Sequence, residues 1–157
     1  MESKTYWEDL VIGSEEHSDE FLVDREEMLA YNRRYDPWPI HVDEEAAQKS
    51  PFGGIIASGG YTISLWYQST HLMNAKRERP LAFLGGFDWE VKFPNPVYPG
   101  DRLVACSKIL DKWESSKPWR GHVESLVDIL NQKQKTVISI RVKMLVQRRP
   151  AGEAVNP

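Results

Sequence analysis

The stretch YTISLWYQSTHLM, Tyr61 to Met73, contains no Asp, Glu, Lys or Arg. A helix of that composition has no strongly solvated face and belongs inside a protein. Tyr61, Trp66 and Tyr67 make it bulky, so what encloses it must be wide. Leading into it is PFGGIIASGG, Pro51 to Gly60, dense in glycine. Gly53 and Gly54 permit a tight turn there.

Downstream the pattern changes to strands. TVISIRVKMLVQRR, Thr136 to Arg149, alternates cleanly: Ile138, Ile140, Val142, Met144 and Val146 on one face, Ser139, Arg141, Lys143 and Gln147 on the other. One dry face and one wet face mean an antiparallel sheet. LAFLGGFDWEVKF, RLVACSKILDKWE and GHVESLVDILN read as three more strands, with a bulge or close approach at Gly85–Gly86. NPVYPGD is a turn, and QKQK connects a hairpin.

Upstream, Glu16 to Leu22 reads as one strand. VDREEMLAYNRRY reads as a helix capped by Asp24, with Glu27 as capping-box partner. Pro37 ends it. Asp43 caps a short helix, EEAAQKS. The expected fold is α+β, a curved antiparallel sheet around a buried helix. Long strands leave edges that dimerisation could cover. One domain is expected over residues 1–149, with 150–157 a flexible tail.

Composition narrows the function. Among 157 residues the hydrophobic fraction is 41%, and the formal net charge is -3. There is no basic stripe, so nucleic acid is not expected as a partner. Lys76, Arg77 and Arg79 read as a solvated loop. A single cysteine, Cys106, excludes an internal disulfide and suggests a reducing, cytoplasmic setting. No apolar run is long enough to span a membrane, and the opening MESKTYWEDL has no signal-peptide core.

The chemistry concentrates in YDPWPIHVDEEAA, Tyr35 to Ala47. Asp36 and His41 stand five positions apart with Pro37 and Pro39 between them. The prolines are expected to forbid a helix there and to hold a rigid loop that aims both side chains at one point. A carboxylate and an imidazole so aimed can orient and deprotonate water. Gly59 follows at the N-terminal end of the buried helix, where an unpaired N–H at the positive end of the helix dipole suits an oxyanion. The bland alternative is a turn aspartate and a structural histidine. Together, a water-activating pair and an oxyanion donor suit addition of water to a conjugated thioester, or the reverse.

DPWPIHVDEEAA resembles the hydratase motif of the MaoC-like, (R)-specific enoyl-CoA hydratases, whose fold is the hot-dog. SPFGGIIASG resembles the segment entering that family's central helix, and FDWEVKFPNPVYPGD its downstream strand and turn. The resemblance spans about Trp7 to Arg149. It implies that Asp36 and His41 are the catalytic pair and that the Gly59 amide holds the thioester oxygen. It implies further oxyanion or substrate contacts from Ser58, Gly54, Phe52 and Trp38. The implied substrate is an acyl thioester, of coenzyme A or of a carrier protein; coenzyme A as part of the substrate is favoured, since no docking surface for an acidic carrier is evident, and no separate cofactor is expected. The implied assembly is a homodimer or larger. Trp38 stands where a small polar residue is usual and Ser58 where His is common, and a bulky Trp38 points to a short or branched acyl group.

Two other readings compete. A hot-dog thioesterase would place a carboxylate on or near the central helix, and Tyr61 to Met73 has none. A non-catalytic acyl-binding subunit is disfavoured by the intact Asp36–His41 pair. The remaining candidates read as structural. His71 is expected to be buried, His17 and His122 show no partner spacing, Cys106 reads as a small core residue, and the six tryptophans read as core and interface. One histidine near Asp36 and Asp43 is too few for a metal site, and none is expected.

Overall fold

The computed structural model describes residues 4–152. A 3-10 turn over Trp7–Asp9 opens the chain. Strands β1 (Glu15–His17) and β2 (Phe21–Leu22) follow, then helices α1 (Arg25–Tyr35), α2 (Pro39–Val42), α3 (Glu44–Lys49) and α4 (Gly59–Ala75). The remainder is sheet: β3 (Phe83–Lys92), β4 (Arg102–Glu114), β5 (Arg120–Leu130) and β6 (Thr136–Gln147). The strand order is β1-β4-β5-β6-β3, with β2 also on β4, and every one of these pairings is antiparallel.

The inner face of this sheet packs against one side of α4, the hot-dog arrangement the resemblance implied. Tyr61, Leu65, Trp66 and Met73 of α4 join Leu103, Ala105, Val127, Ile129, Ile138, Ile140 and Val142 in one core. Each fully buried aliphatic side chain contributes about 1.5–3 kcal/mol. The alternation in β6 is as expected in part: Ile138, Ile140, Val142 and Val146 are buried and Arg141 is exposed, but Met144 is half-buried and Val137, on the opposite face, is fully buried. Bulges fall between Phe83 and Gly85 and between Gly86 and Asp88, where the glycine pair interrupts β3.

Several local expectations are corrected. The Glu16–Leu22 strand is two strands, because Ser18 breaks the ladder: its hydroxyl accepts the Ala105 N–H at 2.9 Å. The capping box of α1 is half formed. Asp24 accepts the Glu27 N–H, but the Glu27 carboxylate accepts instead from the Tyr61 hydroxyl. The prolines do not exclude a helix. Pro39 occupies the first turn of α2, where its missing N–H costs nothing. Helix α4 is buried on one side only, and Tyr67, Gln68 and His71 are exposed. Of the tryptophans, Trp66 is core, while Trp38, Trp89, Trp113 and Trp119 are exposed. Arg77 is not simply solvated, since it pairs with Glu16 at 2.6 Å. No helix among the described residues is long and apolar enough to cross a membrane. Most of the expected flexible tail lies outside the described residues.

Candidate active site

Helix α1 ends at Asp36, whose backbone leaves the helical region while its N–H still donates to the Asn32 carbonyl. The chain then turns tightly. The Trp38 N–H donates to Asp36 O, and the His41 N–H donates to Trp38 O. One turn of α2 then points the imidazole back toward the carboxylate. His41 Nε2 lies 3.7 Å from Asp36 Oδ2. The His41 side chain is 10% exposed and that of Asp36 38%, so the pair opens to solvent through the carboxylate.

The other ring nitrogen fixes the tautomer. His41 Nδ1 is 2.9 Å from the Ile56 carbonyl. A carbonyl only accepts, so Nδ1 carries the hydrogen. In the neutral imidazole Nε2 then presents a lone pair toward Asp36. Two acceptors therefore face one point, and one water can donate a hydrogen to each.

Gly59 begins α4. The Ser58 hydroxyl caps the helix by accepting the Tyr61 N–H at 3.2 Å, and Ser58 is fully buried. Gly59 is exposed, and its first-turn N–H has no carbonyl four residues behind it within the helix. The positive end of a 17-residue helix lies there. Phe93 packs over Gly59, with a ring carbon 3.5 Å from where a Cβ would stand.

One residue ties these parts together, and the sequence reading missed it. Asn32 on α1 is fully buried. Its amide nitrogen donates to the His41 carbonyl at 3.1 Å and to the Ile56 carbonyl at 3.4 Å. Its amide oxygen accepts the Ser58 N–H at 3.2 Å. It thus joins the histidine turn to the start of α4. The available signal was phase: Asn32 falls four after Met28 and three after Leu29, on the apolar stripe of α1.

The other candidates are placed as follows. Trp38 is 68% exposed, beside the pair in sequence but outside the core. Phe52 is at the surface, its carbonyl held by the Tyr98 hydroxyl at 2.7 Å. Gly53 adopts φ +69°, which accounts for a glycine there, and Gly54 is half-buried. His122 stacks on Trp113 with centroids 5.2 Å apart. His71 is exposed, and Cys106 is half-buried with His17 beside it.

The chain is similar to known proteins over most of its length. The chain is 33% identical to the MaoC-like dehydratase of Rhodospirillum rubrum, covering 92% of this chain and 98% of that one at a TM-score of 0.83. It is 28% identical to the uncharacterised protein YdeM of Bacillus subtilis, over 90% of this chain and 98% of that protein. A shorter match, 39% identical, covers 45% of this chain and 46% of 3-hydroxyacyl-thioester dehydratase Z of Mycobacterium tuberculosis. The family model described as the MaoC like domain matches residues 12–128. The chain belongs to the MaoC-like domain family.

Proposed function

We propose that this protein adds water to an enoyl thioester, or removes it from a 3-hydroxyacyl thioester, with Asp36 and His41 as the catalytic pair. The observation that carries this reading is the 3.7 Å approach of His41 Nε2 to Asp36 Oδ2 with Nδ1 held by Ile56. A water donating to both acceptors has its oxygen lone pair free to attack. In hydration that oxygen bonds to the β-carbon of the conjugated thioester. Negative charge moves to the thioester oxygen, where the Gly59 N–H and the α4 dipole would stabilise it. One water proton passes to the pair and from there to the α-carbon, and the other stays on the new hydroxyl, which completes the addition and returns the pair to its starting state. Dehydration is the same sequence reversed.

The substrate proposed is an acyl-CoA, with coenzyme A as part of the substrate and no separate cofactor, and an (R)-3-hydroxyacyl product. Ser58 acts through the backbone it caps. Gly54, Phe52 and Trp38 are proposed to border the acyl site. A homodimer or larger homo-oligomer in a reducing cytoplasm completes the reading. A thioesterase is disfavoured because α4 carries no Asp or Glu from Gly59 to Ala75.

The test is to mix the protein with crotonyl-CoA and follow loss of the conjugated-thioester absorbance. Asp36→Asn and His41→Ala should each lower kcat by about a hundred- to ten-thousandfold. Wild-type turnover that survives both changes would refute the assignment. Release of free thiol would point to hydrolysis instead.

A further inference from the structure

Antiparallel pairing of β1 with β4 sets His17 directly opposite Cys106. Glu15 is two residues from His17 on the same strand and therefore on the same face. Glu16, between them, turns the other way and pairs with Arg77. A carboxylate oxygen, a ring nitrogen and a sulfur of Glu15, His17 and Cys106 lie within 4.8 Å of one another. Cys106 Sγ is 3.9 Å from His17 Nε2. A sulfur and a nitrogen bound to one tetrahedral zinc stand about 3.6 Å apart, so a small side-chain adjustment suffices.

The surroundings favour a cation. Asp128 on β5 stands opposite Cys106 on its other side. Burial, then Glu15 and Asp128, push the Cys106 thiol up, against a smaller opposing effect of Lys108. A bound metal ion reverses that balance and takes the sulfur as thiolate. Lys108 now supplies a positive charge, 3.3 Å from the Glu15 carboxylate. Mixed sulfur, imidazole and carboxylate donors suit zinc-class ions rather than magnesium or calcium.

We propose that Glu15, His17 and Cys106 form a site for a borderline divalent cation of the zinc class, which clamps the short strand β1 to β4. The site uses none of the residues assigned to hydration. Three protein ligands leave one position for water or for Asp128.

The full chain would be titrated with Co²⁺ as a spectroscopic probe. One Co²⁺ per chain is expected, with a thiolate-to-metal charge-transfer band that Zn²⁺ displaces. Cys106→Ser and His17→Gln should each abolish the band, and His41→Ala should retain it. Lys108→Gln should tighten binding several-fold by releasing Glu15. Zn²⁺ should raise the Tm of the wild type but not of His17→Gln, as ligand linkage requires. The proposal is overturned by a wild type without the band, by a band that survives His17→Gln, or by one that His41→Ala removes.

Discussion

Asn32 holds the histidine turn and the start of α4 with one amide. Asn32→Ala would leave the His41 carbonyl and the Ser58 N–H without this partner. Urea unfolding should register a loss of about 1–3 kcal/mol. On the proposed function, kcat should fall as well, because the imidazole is no longer fixed against Asp36. Gly60 makes a second prediction. An added Cβ would stand 2.7 Å from the Tyr31 hydroxyl. Gly60→Ala should therefore destabilise the wild type, and Tyr31→Phe should relieve most of that loss in a double-mutant cycle. Asp36 and His41 were legible in the sequence because both lie in one short run. The role of Asn32 was not, because its phase on the apolar stripe of α1 signals burial alone and its partners are 9 to 26 positions away.

At the scale of elements, strand periodicity carried the reading of β4, β5 and β6; burial alternates along the whole of β5 and along parts of β4 and β6. It failed between β1 and β2, where a serine hydroxyl replaces a ladder partner. The proline rule failed at α2, since Pro39 stands in a helical first turn, where a proline fits. The 3-10 turn at Trp7–Asp9 was illegible because what docks it is remote. The Trp7 indole donates to the His122 carbonyl at 3.0 Å, over Gly121. A Cβ on Gly121 would stand 2.4 Å from that indole nitrogen. Gly121→Ala should unseat the turn and lower stability by about 1–3 kcal/mol in denaturant titration, with Trp7 fluorescence changing alongside. Glu8 adds a pH dependence to the same contact. Burial pushes its carboxyl up, but hydrogen bonds from the Arg148 side chain and the Arg149 N–H outweigh this and hold it below its ordinary value. A carboxylate depressed on folding contributes stability above its unfolded pKa and loses it as pH falls through the folded one. Glu8→Gln should flatten the acid limb of a Tm-against-pH curve.

For the molecule as a whole, β3 is the informative strand. It forms one end of the sheet with β6 as its neighbour, and Phe83, Leu84, Phe87 and Trp89 on it are exposed. Trp89 meets Trp66 of α4 edge-on at 5.0 Å, beside the exposed Tyr67. A long apolar edge next to an exposed helix face suits pairing with a second copy. Sedimentation of the wild type should give a dimer or larger, and the double variant Tyr67→Glu, Trp89→Glu should give a folded monomer. The sequence carried the packing of α4 against the sheet but not its one-sidedness, because a chargeless helix looks the same whether its own sheet or a neighbour covers it.

The exposure of Trp38 has a practical consequence. Its indole projects from the same turn that carries the proposed catalytic pair, yet the supports of that turn are backbone groups and Asn32. If Trp38 borders the acyl site as proposed, acceptance of different acyl groups can drift, or be bred in the laboratory, at Trp38 while the proposed pair stays intact. A saturation library there should yield altered chain-length preference at nearly constant melting temperature.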